Sequence, residues 1–438
     1  MNRALVVGLA RSGRAAAALL VRHGFSVVAV DAADVEAAEL VAAGVDVRAQ
    51  WNQPVEGPFD LVVKSPGVPA SATPVAAARE EGVPVISEIE LAARFLSNPL
   101  IAITGTNGKT TTTELTAHLL REAGIDAVAC GNQGTPICAL ADAIDPGTWL
   151  VVECSSFQLE DVGDAFRPRA AVLLNVTPDH LDRHASMQEY LAAKLRIFEH
   201  LGPTDLAIAP PGMAIPGEAS AHTVDLDGQT DTSIAWGTPG VTHAVLGRVA
   251  DWDRVVLRGT HNRQNVLVAV SLAAHAGADG SAIAAGLATF PGVAHRLEVV
   301  GELNGVTYVN DSKATNPDAA MAALDAYPKR VHLIAGGKAK GTPFEELVER
   351  AVGAVVHAYL IGDAATQLAD AFSRGGVPAT ISGDMAAALT AAHEVAEPGD
   401  TVLLAPACTS FDQYPNFEAR GAHFRSVATA MGVHPTTP

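Results

Sequence analysis

The four cysteines of this 438-residue chain, Cys130, Cys138, Cys154 and Cys408, form no C-x-x-C pair. Neither a zinc site nor a redox dithiol is therefore indicated, and scattered buried thiols are expected. Long apolar runs are equally missing. The longest near the start, residues 15–21, is far short of the roughly 18 residues a membrane helix needs. The apolar stretch 4–10 is followed by Arg11 and Arg14 with no small-residue cleavage site, unlike a secretory signal, so a cytoplasmic protein without membrane insertion is expected. Positive charge is also scarce. A formal net charge of −19 argues against nucleic acid as a partner, which needs a basic footprint, although a local site can still hold an anionic small molecule. No internal repeat or low-complexity segment is present beyond a bias toward alanine.

What is present is globular in composition, 48% hydrophobic and 18% charged, with length for about three cores. Candidate joints at residues 96–99 and 290–293 divide the chain into 1–97, 98–294 and 295–438. The first segment opens with a strand at 4–7, the turn Gly8-Leu9-Ala10-Arg11-Ser12-Gly13, a helix over 14–23 and a strand over 25–30 ending on Asp31. This is a βαβ unit with the outline of a dinucleotide fingerprint, but Ala10 replaces the glycine that lets backbone approach a pyrophosphate. A dinucleotide site, another nucleotide site and a structural turn all remain open there. A second turn, Lys64-Ser65-Pro66-Gly67, is placed at the same sheet edge. The middle segment alternates strands and helices to about residue 199. Residues 205–259, rich in Gly, Pro and Thr with alternating runs such as 254–257, read as a small antiparallel subsheet. The last segment, with strands from Leu297 onward, reads as another doubly wound parallel sheet.

The most informative stretch is Gly105-Thr106-Asn107-Gly108-Lys109-Thr110-Thr111, directly after the apolar run 100–103 and before a helix-compatible segment. Strand, glycine-rich turn and helix aim backbone N–H groups and a helix N-terminus at phosphate oxygens. Lys109 is suited to the β/γ-phosphates and the Thr110 hydroxyl to a magnesium ion. Ile103 stands where the usual G-x-x-x-x-G-K-[ST] pattern has its first glycine, so the loop is a short form. Glu153, at the end of the strand-like run 149–152, is placed as a second magnesium ligand. His180 follows the strand 171–174 among the carboxylates of Asp179 and Asp182. By spacing alone, Lys194 and Arg196 read as an ordinary solvated pair on a helix that Ser186 to Glu189 starts with a capping box.

These motifs, with Glu153-Cys154-Ser155-Ser156-Phe157-Gln158-Leu159, the run 175–182 and His261-Asn262-Arg263-Gln264-Asn265, resemble those of the Mur ligase family, ATP-dependent amino-acid ligases of cell-wall precursor synthesis. The runs 310–317 and 410–418 look like those of members that add D-glutamate. The resemblance covers essentially the whole chain. It implies three α/β domains: a Rossmann-like domain for a UDP-linked substrate, a central ATP-binding domain and a Rossmann-like domain for D-glutamate. It further implies ATP and two magnesium ions, with UDP-N-acetylmuramoyl-L-alanine and D-glutamate as substrates of a monomer. Residues 105–111 hold phosphate. Thr110 and Glu153 hold one ion, while His180 and a carbamylated Lys194 hold the other. Asn132 lies near the reacting acyl group. Asn265, Arg296 and Asp311 hold the adenosine end, and Lys313 lies near the phosphates. Arg11, Ser12, Asp31, Ser65 and Gly67 take the UDP moiety, and Thr315, Lys340, Ser410 and Phe417 take D-glutamate. Two departures stand out. Lys338 sits where the family often has an acidic or polar residue, so either it or Lys340 is the contact, and Ala32 replaces a common hydroxyl residue. The remaining alternatives are a Mur-type ligase for another amino acid, L-glutamate included, and a non-catalytic nucleotide-binding regulator.

Overall fold

A computed structural model describes residues 2–180, 183–227, 233–257 and 259–434. Two compact units result. The first runs to Val255 and includes Gln264–Phe290, and the second comprises Val256–Arg263 with the chain from Pro291 onward.

The first unit holds two sheets. Strands β1 (Arg3–Val7), β2 (Ser26–Val30), β3 (Asp46–Arg48), β4 (Leu61–Lys64) and β5 (Val85–Ser87) are all parallel, in the order β3-β2-β1-β4-β5. The order reverses between β1 and β4, the place where open α/β sheets leave a crevice at their carboxyl edge. The helix after β1 spans Arg11–Arg22, starting earlier than the spacing suggests, because residues 11–13 already continue its turn. A Cβ on Gly13 would come within 1.7 Å of the Gly8 carbonyl oxygen, so only glycine lets the helix pack this close to its own turn.

The second sheet comprises β6 (Leu100–Thr104), β7 (Ala127–Gly131), β8 (Trp149–Glu153), β9 (Ala170–Leu173), β10 (Leu206–Ile208), β11 (Ala221–Asp225), β12 (Ser233–Trp236), β13 (Val241–His243) and β14 (Gly247–Ala250). Its order is β14-β13-β12-β11-β10-β9-β6-β8-β7. The pairings β12–β13 and β13–β14 are antiparallel and the rest parallel. The antiparallel part expected after residue 205 therefore extends the central sheet instead of standing apart from it. Residues 254–257 form no strand: Trp252–Arg254 is a 3-10 turn, with the Trp252 indole donating to Gly237 O. One apolar cluster runs through both sheets, from Ala4 and Leu20 to Leu100, Val152 and Phe198. Asn98, in the expected joint, is part of the packing, its amide donating to Asp145 O at 2.7 Å and Thr148 O at 3.0 Å.

The second unit is built on β15 (Glu298–Leu303), β16 (Val306–Asn310), β17 (Val331–Gly336), β18 (Val355–Ile361), β19 (Ala379–Gly383) and β20 (Thr401–Leu404). Their order is β15-β16-β20-β17-β18-β19, antiparallel only at the β15–β16 edge. All four cysteines are buried and free, as composition suggested.

Candidate active site

The strand β6 is buried throughout and delivers the glycine-rich loop to the helix Lys109–Glu122. Gly108 precedes that helix with φ +86°, and a Cβ there would meet the Asn265 Oδ1 at 2.5 Å. The left-handed conformation favours glycine there, and any Cβ would also have to displace the Asn265 side-chain tip. Asn175, just past β9, clamps the loop: its side-chain oxygen accepts from Asn107 N at 2.9 Å and its amide donates to Asn107 O at 3.1 Å. The Thr106 hydroxyl lies 3.2 Å from both Thr177 O and the Tyr190 hydroxyl.

Two lysines meet at this loop. Lys109 Nζ donates to Gly105 O and Thr106 O, both at 2.8 Å, and Lys194 Nζ donates to the same Gly105 O at 2.9 Å. Lys194 is buried, 1% exposed, with its ammonium 4.5 Å from the Tyr190 ring centroid. This corrects the solvated-pair reading. Helix Met187–Leu195 turns Lys194 inward, while Arg196 just beyond it donates to Glu160 O and Val162 O. Burial, then the Lys109 charge, hold the Lys194 amine well below the usual lysine range. The expected capping box is half formed. Ser186 Oγ accepts from Glu189 N, but the Glu189 carboxylate takes Ala185 N instead of Ser186 N.

Glu153 ends β8 beside the loop and joins two expected residues. The Thr110 hydroxyl donates to Glu153 Oε2 at 2.6 Å, and the Asn132 amide donates to Oε1 at 2.9 Å. His180, with φ +56°, follows Asp179, whose carboxylate accepts from the His180 N–H. Its ring lies 5.0 Å from that of Phe157. Leu181 and Asp182 lie outside the described residues. His184, not singled out by sequence, is buried between Phe157 and Tyr190 and bonds Ser156 Oγ at 3.0 Å. Among the described residues no group of three or more His, Cys, Asp or Glu side chains is arranged to hold a metal.

A cavity of about 640 Å³ opens along the carboxyl edge of the first sheet. Arg11, Ser12, Asp31, Ser65 and Gly67 all line it, as does Asn132. Asp31 accepts from Leu9 N at 2.6 Å and Ala33 N at 2.8 Å, and Ser65 Oγ donates to Gly8 O at 2.8 Å. Glu153 thus links the phosphate loop, through Asn132, to a nucleotide-sized cavity.

The second unit gathers the other expected residues near the carboxyl ends of β16, β17 and β20. Asp311 is buried, and desolvation pushes its carboxyl up to about 7 against the pull of the Arg296 charge. Lys313 Nζ stands 3.9 Å from the Phe417 ring centroid, and Thr315 N donates to Lys313 O. Ser410 is buried, its carbonyl accepting from Gln413 N and Tyr414 N. The side chains of Lys338 and Lys340 are both exposed, but the Lys338 backbone is bridged in both directions to Thr409. Sequence reasoning missed Arg420. Fully buried, it donates to Ser312 Oγ at 3.0 Å and to four carbonyls, those of Ser312, Gly336, Cys408 and Thr409. Burial draws its guanidinium down to about 10, still cationic at neutrality.

A largely parallel sheet with a glycine loop, a lysine, and a hydroxyl–carboxylate pair at the strand ends defines a nucleotide-dependent enzyme of the phosphate-loop class. Residues 2–87 match the Mur ligase MurD-like N-terminal domain, 103–273 the Mur ligase middle domain and 295–408 the Mur ligase glutamate ligase domain. The chain belongs to the Mur ligase family. It is 40% identical over 446 residues to the UDP-N-acetylmuramoylalanine–D-glutamate ligase of Pelotomaculum thermopropionicum, covering 98% of each chain. The protein of that name from Myxococcus xanthus is 43% identical over 454 residues, again with 98% of each covered. The crystal structure of the UDP-N-acetylmuramate–alanine ligase of Thermotoga maritima aligns with a TM-score of 0.61 over 98% of this chain and 100% of that one. At 18% identity, that likeness shows the fold alone. Among the described residues no helix is long and apolar enough to cross a membrane.

Proposed function

We propose that this ligase joins D-glutamate to UDP-N-acetylmuramoyl-L-alanine with consumption of ATP, a step of peptidoglycan synthesis, acting as a cytoplasmic monomer. The likeness to ligases of that name over nearly the full length supports the assignment. The observation that carries it is geometric: Glu153 holds Thr110 of the phosphate loop with one oxygen and Asn132 of the cavity with the other. A phosphoryl donor on the loop is thereby set beside an acyl group in the cavity. Residues 1–97 are read as the domain for the UDP-linked substrate, 98–294 as the ATP domain and 295–438 as the D-glutamate domain.

The γ-phosphoryl group of ATP passes to the terminal carboxylate of the first substrate, giving an acyl phosphate and ADP. The D-glutamate amine attacks the acyl carbon, loses a proton, and phosphate leaves as the C–N bond forms. Lys109, joined by the N–H groups of residues 105–111, neutralises charge on the transferring group. Asn132 orients the acyl oxygen. Arg11, Ser12, Asp31, Ser65 and Gly67 hold the UDP moiety, and Asn265, Arg296, Asp311 and Lys313 hold ATP. Thr315, Lys340, Ser410 and Phe417 receive D-glutamate, with the Lys340 ammonium suited to a carboxylate.

The Thr110 hydroxyl and Glu153 carboxylate are hard oxygen donors in contact, which fits one magnesium ion, and His180 with Lys194 is assigned to a second. Magnesium supplies charge neutralisation at the phosphate oxygens when bound. Burial keeps part of the Lys194 population neutral, the form whose lone pair adds carbon dioxide. The new C–N bond gives a carbamate with release of one proton, turning a repelling ammonium into an oxygen ligand.

Phosphate release is to be measured with ATP, magnesium, UDP-N-acetylmuramoyl-L-alanine and each candidate amino acid in turn. Turnover with D-glutamate alone is expected. Turnover with L-glutamate, L-alanine, a diamino acid or a D-alanyl dipeptide but not with D-glutamate would sink the assignment. Light scattering giving more than a single-chain mass would do the same for the monomer.

A further inference from the structure

The lining of the first unit's cavity includes one aromatic side chain, close to the end of β2. It is Trp51, beside Val30, Asp31, Ala32 and Asn52. Three backbone hydrogen bonds knit the Trp51 turn to the end of β2: Asp31 N to Arg48 O at 3.1 Å, Gln50 N to Ala33 O at 3.0 Å and Trp51 N to Asp31 O at 2.8 Å. The ring is fixed as well. Its indole N–H donates to Gln53 O at 2.9 Å, and the Arg48 guanidinium, held by Asp46 at 2.7 Å, stands 5.1 Å from the ring centroid. With its only donor committed, Trp51 offers the cavity π surface and nothing polar.

Beside it, Ala32 contributes only a methyl group. Both Asp31 oxygens already accept backbone N–H groups. Asp31 is thus partly committed to the backbone, Ala32 adds nothing polar, and the largest rigid side-chain surface beside them is the indole. Resting on the reading that this cavity takes a UDP-linked substrate, we propose that Trp51 is a substrate-binding residue, the platform against which the nucleobase packs. A planar ring held at its edge by Gln53 and covered on one face by Arg48 loses little freedom when a base settles on the other face, which is what makes aromatic platforms effective for nucleotides. The diphosphate then extends along the carboxyl edge toward Gly8, Ser12 and Ser65, and the acyl end toward Asn132.

UDP alone is the probe, titrated by calorimetry and by intrinsic fluorescence into the full-length protein and its Trp51→Leu and Trp51→Phe variants. UDP is expected to bind the unmodified protein and to change its tryptophan emission. Trp51→Leu keeps an apolar group of fair size but no π face, and should bind UDP roughly tenfold more weakly. Trp51→Phe should restore most of the affinity while losing the emission change, because Trp149, Trp236 and Trp252 line no part of the cavity. The KM for the UDP-linked substrate should rise in parallel in Trp51→Leu. Unchanged UDP affinity in Trp51→Leu overturns the platform while leaving the cavity reading intact. An emission change of full size in Trp51→Phe overturns it too, and stays decisive should the leucine variant not fold. No UDP binding by the unmodified protein would instead bring down the reading of the cavity itself.

Discussion

Two lysines of the first unit are equally buried and opposite in meaning. Lys64, at the end of β4, meets Asp161 at 2.9 Å and Glu160 at 3.3 Å, and Arg79 reaches the same Asp161 at 2.6 Å. Its charge is balanced where it stands, and it joins the first sheet to the central one. Lys194 bonds a backbone carbonyl, lies over an aromatic ring and faces a second ammonium, that of Lys109. A lysine buried with carboxylates is a structural join. One buried against another cation is held toward its neutral, reactive form, and such placement belongs to chemistry.

The contrast is broken most severely at Lys194. Lys194→Ala should lose at least about a hundredfold in phosphate release, since a residue that acts through the reacting groups leaves little when removed. Added bicarbonate should not restore it, and full activity in that variant would end the proposed role. Lys64→Met should do the reverse. It leaves Asp161 buried beside one remaining partner, for a loss of about 3 kcal/mol in denaturant unfolding, with turnover of the folded protein within about threefold. Equal damage to turnover would erase the distinction between the two lysines.

A smaller effect sharpens the picture at Glu88, buried on the helix Glu88–Ala93, where it accepts from Cys138 N at 2.6 Å. Desolvation raises its carboxyl from 4.5 to about 7. The folded state therefore holds the proton more firmly, so stability is greatest below the unfolded value and is lost as pH rises from about 4.5 to about 7. Glu88→Gln should flatten that slope and be the more stable protein at pH 8 by on the order of 2 kcal/mol. Parallel stability–pH curves for the two proteins would contradict this. The smallest change is expected for Ser186→Ala, which removes the N-cap acceptor of Glu189 N and should cost about 1 kcal/mol.

Much of this was legible in the chain. The phosphate loop lies in consecutive residues, and its strand, turn and helix announce themselves by local chemistry. The strands of the parallel sheets follow from short β-branched runs. The two turns that carry Arg11, Ser12, Ser65 and Gly67 read as one sheet edge, with Asp31 at the next strand end, but their part in a UDP site came only through likeness to a family. Lys194 was legible only through likeness to a family. Its burial comes from Tyr190 on the same helix and Gly105 far away in sequence, and no periodicity encodes that meeting. Residues 254–257 alternate like a strand, yet the Trp252 indole bonded to Gly237 belongs to a turn. Glu88 and Glu90 stand in the first turn of a short helix, and nothing in their spacing singles them out. Both are buried because their acceptors serve N–H groups 50 to 76 positions away, at Cys138, Gly163 and Phe166.

Arg420 bears on how such a protein changes over evolutionary time. Four of its five hydrogen bonds end on main-chain oxygens, at Ser312, Gly336, Cys408 and Thr409, and only one on a side chain. The anchor therefore reads the path of these segments and is nearly blind to their spelling. Side chains around it can be exchanged one at a time without unmooring the backbone that presents them. A lineage could alter which amino acid it accepts while keeping the same mooring, and the residue least free to vary would be one that never meets the substrate.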